Sequence, residues 1–327
     1  MRIIICGTGP FAVPTLEWLL SSPHVVETVL TRPIADSGRR RKTAANPVRD
    51  LAVAQGLEVL DPHDINQPDI VGQLRDRNAD LLFVCDYGQI LSAECLSATR
   101  LGGINLHGSL LPRYRGAAPI NWAIYQGESE TGVSVIHMSP RLDAGPILSQ
   151  LRTAIGPDET AGELEPRLAA LGVEAVQRAI EVLQRWNGQD PIGRTQDPNL
   201  VSRAPRLTKQ QGRIDWSRTA EQIRNQVRAF QPWPGSWSEW HPADRAPVRI
   251  IFHRVEVVSE DANSADLDLI PGAAPGTIVL SDPERLWIQT GEGVIGVRQL
   301  QPAGRKALLV DAFQRGYPIR PGDRFAG

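Results

Sequence analysis

The sequence GGINLHGSLLPRYRG, residues 102–116, begins with a short predicted strand that ends at Gly108. On a strand, side chains two residues apart point to the same face, so Asn105 and His107 lie side by side. The carboxyl ends of strands are where open α/β sheets bind their ligands. This stretch therefore predicts an α/β sheet that presents an amide and an imidazole at its ligand-binding edge.

A second strand, predicted over residues 132–138, leads into a loop that contains Asp143. This loop can bring a carboxylate to Asn105 and His107. An amide, an imidazole and a carboxylate, with no cysteine or activated serine beside them, suit direct attack by a substrate amine on an acyl donor. Each residue alone is more commonly structural, because histidines at strand ends and aspartates in turns usually satisfy local hydrogen bonds.

Strands and helices alternate along the first half of the chain, which predicts a parallel, doubly wound, Rossmann-like sheet. The predicted strands cover residues 2–7, 25–31, 57–60 and 80–85, and the predicted helices cover 11–21, 48–55 and 69–78. Later runs of strand length, split by Gly and Pro, predict a small β-barrel of the OB type. We therefore expect a catalytic sheet domain at 1–188, a polar, Pro- and Gly-rich linker at 189–206 and the barrel domain at 207–327.

Composition indicates a globular protein that is long enough for two domains. The 327 residues are 41% apolar and 22% charged, with a net charge of −2 and a pI near 6.3. Apolar runs are of strand length, far below the ~20 residues that span a membrane. Cys6, Cys85 and Cys95 lack metal-binding spacing, which is typical of buried thiols in a reducing cytoplasm. The six histidines form no metal motif, so we expect no metal and a cytoplasmic location.

Residues 7–12, GTGPFA, match the GxGxxA pattern of dinucleotide-binding turns. Arg32 follows the second predicted strand, where an NADP-binding arginine can lie. This match keeps an NADP-dependent oxidoreductase open as an alternative. Pro10 counts against it, because proline lacks one of the backbone N–H groups that bind a pyrophosphate.

Arg39, Arg40, Arg41 and Lys42 form an unbroken basic run in a chain that is acidic overall. Four adjacent cations repel one another and cannot pack in a core, so we expect an exposed loop. The run is either a solvated surface or an arm that contacts phosphates. A non-catalytic RNA-binding protein is a further alternative, but it leaves the amide, the imidazole and the carboxylate unexplained.

Longer motifs resemble the methionyl-tRNA formyltransferase family. The pattern NxHxSLLP is shared by enzymes that transfer formyl from 10-formyltetrahydrofolate. Its extension RYRGAAPI narrows the resemblance to the methionyl-tRNA formyltransferases among them. The motifs LDAG at 142–145, IDW at 214–216, FQPWPGSW at 230–237 and LQPAGRK at 300–306 extend it over nearly the whole chain. The resemblance implies formyl transfer from this folate co-substrate to the α-amino group of methionyl initiator tRNA. It implies the catalytic residues Asn105, His107 and Asp143.

The resemblance also implies which residues bind the substrates. Folate is expected beside Ser109, Leu110, Leu111 and Pro112, and beside the loop residues Tyr87, Gly88 and Ile90. Asp86 departs from the small apolar residue that is usual at its position in the family. The basic run Arg39–Lys42 and the barrel domain are expected to contact tRNA, and we expect a monomer.

Two other formyltransferase classes share the first domain and stay open at this point. A glycinamide ribonucleotide formyltransferase normally lacks a barrel domain, which counts against it here. A sugar-amine formyltransferase uses the same folate donor and can carry a C-terminal domain, so it is the nearest alternative.

Overall fold

The computed structural model describes residues 1–33, 45–242, 246–259 and 272–326, and the chain divides into two compact units. Unit 1 comprises Met1–Ile120, Glu130–Ala154 and Glu163–Arg206, and unit 2 comprises Asn121–Ser129, Ile155–Gly162 and Leu207–Gly327. Two short segments of the first half of the chain thus belong to the second unit. Within the described ranges, no helix is long and apolar enough to cross a bilayer.

Unit 1 is built on a seven-stranded sheet. Its strands are β1 (Arg2–Gly7), β2 (Val25–Leu30), β3 (Val59–Leu60), β4 (Leu81–Cys85), β5 (Gly103–His107), β6 (Glu130–His137) and β7 (Ile147–Ala154). The strand order is β3-β2-β1-β4-β5-β6-β7. The first five strands are parallel to one another, β6 is antiparallel to β5, and β7 is antiparallel to β6. β4 is buried along its whole length, as expected for a central strand of such a sheet. The parallel part confirms the predicted Rossmann-like sheet.

The helices before the barrel begin at local sequence signals. They are α1 (Val13–Ser21), α2 (Pro47–Ala54), α3 (Pro68–Asp76), α4 (Ala93–Leu96), α5 (Pro119–Tyr125) and α6 (Ala161–Gln184). The side chain of Asn46 caps α2 by accepting the N–H of Arg49, and Ser92 caps α4 by accepting that of Cys95. α2 also has proline at its first position, where a missing N–H costs nothing.

From Leu207 onward, the described residues of unit 2 form an antiparallel sheet and two α-helices. The elements are α7 (Ala220–Ala229), β8 (Ser236–His241), β9 (Val248–Val257), β10 (Ile278–Ser281), β11 (Leu286–Gln289), β12 (Val294–Pro302), β13 (Leu308–Leu309), α8 (Val310–Gly316) and β14 (Arg324–Ala326). The strand order is β10-β11-β12-β9-β8-β14, with β13 on β12. The N–H of Ile278 donates to the carbonyl of Asp323, which brings the last strand back to the first. The sheet is therefore nearly closed, as the predicted barrel requires.

Aromatic side chains fill the core of this barrel. Trp216 and Phe325 each lie against Phe252 with ring centroids 5.6 and 5.3 Å apart, and Trp240 is 1% exposed. Trp216 and Trp240 are therefore core residues of the barrel. Trp233 differs, because 48% of it is exposed.

The segment 189–206, predicted as a linker, groups with unit 1. The N–H of Arg115 donates to the carbonyl of Ser202 at 2.9 Å, and the N–H of Ala204 donates back to the carbonyl of Arg115 at 2.7 Å. Gly116 has a φ of 129°, and a Cβ there would overlap the carbonyl oxygen of Ala204. The segment is therefore hydrogen-bonded to the loop that follows β5.

Candidate active site

Asn105 lies on β5 between two neighbouring strands, opposite Val84 of β4 and Ile136 of β6. Its Nδ2 donates one hydrogen bond to the carbonyl of Val84 at 3.2 Å. Within the described part of the chain, the second Nδ2 hydrogen and Oδ1 have no partner. The sheet therefore orients the amide and leaves one donor available to a substrate oxygen.

His107 ends β5 and is 7% exposed. Its Nε2 lies 2.9 Å from the carbonyl oxygen of Tyr114. A carbonyl can only accept, so Nε2 carries a proton and donates. Nδ1 is the nitrogen that remains for chemistry. It faces Oδ2 of Asp143 across 3.8 Å.

Asp143 lies in the loop between β6 and β7 in a left-handed conformation, with a φ of 50°. Its Oδ2 accepts the N–H of Gly116 at 2.8 Å, and its side chain is 12% exposed. Two turns, one after β5 and one after β6, thus meet at this carboxylate. The structure brings together the imidazole and the carboxylate that the sequence predicts as partners.

The loop after His107 is held from the antiparallel side of the sheet. Ser134 of β6 donates its Oγ hydrogen to the carbonyl of Ser109 at 2.7 Å and accepts the N–H of Leu111 at 3.0 Å. Gln150 of β7 donates to the carbonyl of Leu111 at 3.0 Å. These bonds use backbone groups of Ser109 and Leu111 inside the protein, and they fix the loop that carries Tyr114.

The side chains predicted to bind folate differ in how far solvent reaches them. Ser109, Leu111 and Pro112 are buried and Leu110 is half-buried. Tyr87 is also buried, with its ring in the apolar cluster beside β4, whereas Gly88 is exposed and Ile90 is 66% exposed. The exposed members of the set, Gly88 and Ile90, therefore offer more direct contact than the buried ones.

Asp86 follows β4 with a φ of 49°, and its carboxylate lies over Gly9, where a Cβ would overlap Oδ2. Solvent reaches Asp86, but protein surrounds it on most sides, and this loss of hydration raises its pKa although Arg32 lowers it. Burial and the charge of Asp86 also raise the pKa of Glu165. A carboxylate over the GTGPFA turn repels a pyrophosphate, which counts against the dinucleotide alternative.

Sequence reasoning missed two residues of the predicted linker that contact this site. Oγ of Ser202 accepts the N–H of Tyr114 at 2.8 Å. The amide of Gln196 donates to the carbonyls of Asp143 and Gly145 at 2.9 and 2.7 Å. A glutamine in a polar segment carries no local signal of this role, since its partners lie about fifty residues away in sequence.

The cysteines do not supply a nucleophile at neutral pH. All three are buried, as predicted. Burial raises the pKa of Cys6 and Cys85 well above the usual thiol range and that of Cys95 to about 11. Among the described residues, no group of three or more His, Cys, Asp or Glu side chains could hold a metal ion.

The predicted tRNA-binding residues Arg39, Arg40, Arg41 and Lys42 lie outside the described residues.

Comparisons with known proteins match the whole chain. Residues 1–180 match the formyl transferase family and residues 206–318 match the formyl transferase C-terminal domain. A methionyl-tRNA formyltransferase of Rhodopirellula baltica is 42% identical over 99% of this chain and 96% of its own length. Another, from Geobacter metallireducens, is 38% identical over 99% of this chain and 98% of its own.

Solved structures that resemble this chain share its fold at low sequence identity. The sugar 3N-formyltransferase WlaRD, solved with dTDP and 5-N-formyl-THF, has a TM-score of 0.62 at 18% identity and covers 94% of this chain and 99% of its own. HypX from Aquifex aeolicus, solved with tetrahydrofolic acid, has a TM-score of 0.61 at 16% identity; it covers all of this chain, which spans 51% of HypX. Both domain matches and the full-length relatives show that the chain belongs to the methionyl-tRNA formyltransferase family.

Proposed function

We propose that this chain transfers the formyl group of 10-formyltetrahydrofolate to the α-amino group of methionyl initiator tRNA. The observation that carries the proposal is the pairing of His107, two residues after Asn105 on the same strand, with Asp143 in a chain of this family. The amine attacks the formyl carbon directly and a C–N bond forms. The bond from the formyl carbon to N10 of the folate breaks, N10 takes up a proton and tetrahydrofolate leaves.

Asn105 and His107 stabilise the negative charge that develops on the formyl oxygen. Asn105 offers its second Nδ2 hydrogen, because the first is held by Val84. A protonated His107 donates Nε2–H to Tyr114 and still carries a proton on Nδ1. Donors that are held in place before the reaction stabilise such a charge without reorganisation.

Asp143 attracts a positively charged imidazole and handles the proton of the amine. Its mostly buried carboxylate lies 3.8 Å from Nδ1, within range of a charge interaction. Oδ2 is occupied by the N–H of Gly116, but Oδ1 has no partner within the described residues. Oδ1 is thus free to accept, directly or through water, the proton that the attacking amine sheds.

The substrate-binding regions follow from the family resemblance and the exposure of the loop after β4. Folate lies beside Gly88 and Ile90, with Tyr87 and the 109–112 loop (Ser109, Leu110, Leu111, Pro112) shaping the pocket behind them. The basic run Arg39–Lys42 and the barrel domain, 207–327, bind the tRNA, and the catalytic domain spans 1–188. We further propose that the protein acts as a monomer in the cytoplasm.

The test is transfer of labelled formyl from 10-formyltetrahydrofolate to methionyl-tRNA by the wild type and by His107→Ala. Rapid transfer that is lost in the variant supports the reaction and the site together. Transfer to a nucleotide-linked amino sugar instead would keep the chemistry and replace the acceptor with that of a sugar-amine formyltransferase. No transfer to any amine would refute the proposal.

A further inference from the structure

Gln196 is a buried polar residue in an otherwise exposed segment. Between residues 184 and 203, all residues except Gln196 are partly or fully exposed. Gln196 is 7% exposed. The segment lies between the two family matches, which end at residue 180 and resume at residue 206. Burial of an amide costs free energy unless each of its groups is hydrogen-bonded.

Every hydrogen-bonding group of the Gln196 amide has a partner in unit 1. Oε1 accepts from Nε and from a terminal nitrogen of Arg115 at 3.1 and 2.6 Å. Nε2 donates its two hydrogens to the carbonyls of Asp143 and Gly145. Because a guanidinium only donates and a carbonyl only accepts, the amide has a single satisfied orientation.

We propose that Gln196 is a positioning residue that holds Asp143 at His107, an inference that rests on the proposed function. Asp143 has a left-handed backbone, which is unfavourable for a residue with a Cβ and persists only where the surroundings hold it. Gln196 bonds to the carbonyl of Asp143 itself and to that of Gly145, two residues on. It therefore fixes the turn from which the carboxylate reaches Gly116 and faces Nδ1 of His107.

The same segment also supports the imidazole. Ser202 accepts the N–H of Tyr114, and the carbonyl of Tyr114 accepts Nε2–H of His107. One exposed strip of chain between the two family domains thus contacts the supports of both proposed catalytic side chains. Gln196 and Ser202 therefore lie outside the two segments that match the family models.

Gln196→Glu tests the proposal with little change of shape. Glutamate keeps an acceptor for Arg115 but replaces both donors with an oxygen that repels the carbonyls of Asp143 and Gly145. We expect kcat for formyl transfer to fall about 10²-fold, as a misplacement of about 1 Å can cause, with KM for both substrates nearly unchanged. Gln196→Met, which is apolar and of similar length, serves if the glutamate variant does not fold.

Gln226→Glu is the matched control. Gln226 is 2% exposed in unit 2, and its Nε2 also donates to two backbone carbonyls, those of Gln211 and Arg213, at 3.2 and 3.0 Å. Because Gln226 is buried, it offers no surface to the tRNA. We therefore expect Gln226→Glu to lower the free energy of unfolding while kcat stays at the wild-type value. An equal loss of kcat in both variants would show a general effect of destabilisation and would overturn the proposal.

A double-mutant cycle with Asp143→Asn separates positioning from structural support. If Gln196 acts through Asp143, Gln196→Glu costs little in a chain that already carries Asp143→Asn. If the two substitutions instead lower kcat by independent factors that multiply, Gln196 does not act through Asp143.

Hydrogen exchange at the Gly116 amide, which donates to Asp143, gives a readout without substrates. We expect Gln196→Glu to speed this exchange. If wild-type protein transfers no formyl but this exchange still changes, the proposed function fails and the positioning stands; unchanged exchange refutes the positioning.

Discussion

Nδ1 of His107 and Oδ2 of Asp143 face each other across 3.8 Å in a site where both side chains are mostly buried. The separation is too long for a hydrogen bond and short enough for a strong charge interaction. Oδ2 is already bonded to Gly116, and Nε2 of the ring to Tyr114. Backbone groups therefore hold both side chains in place. A proton on Nδ1 of His107 gives the ring the positive charge that attracts the carboxylate of Asp143.

Asp143→Asn should remove this coupling with the hydrogen bond to Gly116 retained, because an amide oxygen also accepts. We expect kcat to fall by about 10²–10⁴-fold, the usual contribution of proton transfer by a positioned group. The measurement is steady-state formyl transfer to methionyl-tRNA. Asp197→Asn, at an exposed turn where asparagine caps equally well, is the control. Wild-type kcat in Asp143→Asn would exclude a role for its charge.

Asn105→Ala should cost about 10²–10³ in kcat, the typical effect of removing one donor to a developing oxyanion. Its Cβ stays in the sheet, so we expect little change in folding. Asn78→Gly is the control, since Asn78 is a surface residue with a φ of 49° that glycine adopts easily. A loss confined to KM would indicate that Asn105 binds substrate equally in the ground state and the transition state.

The parallel sheet of unit 1 could be predicted because its signals are local. β1 and β4 are apolar runs, and the predicted helices α1, α2 and α3 each have a proline in the first turn. The sequence does not predict β7, because apolar and polar residues do not alternate strictly in ILSQLRTA and the strand lies at the antiparallel edge of the sheet. Its pairing with β6 depends on partners that are distant from any local pattern.

The candidate site shows the same division between local and distant signals. Asn105 and His107 follow from strand spacing, and Asp143 from its motif. The support by Gln196, Ser202 and Tyr114 involves hydrogen bonds between residues far apart in sequence, which no spacing rule contains. The surroundings of Leu111 are also not predictable from a local pattern, because its side chain packs on Ile136 of β6 and Ile147 of β7. Its backbone groups bond to the hydroxyl of Ser134 and the amide of Gln150, which are likewise distant in sequence.

Charge reversal of the run Arg39, Arg40, Arg41 and Lys42 to glutamate should raise KM for methionyl-tRNA strongly and leave folate binding intact. The physical reason is the loss of phosphate neutralisation, so the variant's KM should also depend less on salt. The check is formyl transfer at a series of salt concentrations. Replacing Arg by Lys at the first three positions, which keeps the charge, is the control. Unchanged tRNA kinetics after reversal would rule out this contact.

Phe252→Ala should lower the free energy of unfolding of the barrel by about 3–5 kcal/mol, because it removes a fully buried ring. The cavity would open between Trp216 and Phe325, which both contact this ring. Urea unfolding followed by tryptophan fluorescence measures the loss. Trp233→Ala, at a half-exposed position, should change stability far less. Similar losses in both variants would contradict the assignment of the barrel core.

Asp86→Asn should stabilise the protein at neutral pH and leave its stability in acid unchanged. The pKa of Asp86 is raised in the folded state. Its contribution to stability is therefore fully present below the unfolded pKa of about 3.9 and is lost as pH rises through the folded pKa. Asparagine does not ionise, so Asp86→Asn removes this loss of stability. It also removes the charge that raises the pKa of Glu165. Urea unfolding between about pH 4 and pH 7 measures the difference.

Asp80→Asn is the control of opposite sign. Burial alone would raise the pKa of Asp80, but hydrogen bonds from the N–H of Arg2 and from Arg100 outweigh it and lower that pKa. Its stabilisation is present above the unfolded pKa and lost as pH falls through the folded pKa, so Asp80→Asn should destabilise at neutral pH. If Asp86→Asn also destabilises the protein at neutral pH, the attraction of Asp86 to Arg32 outweighs the cost of burying its charge. The pKa of Asp86 would then be lowered and not raised.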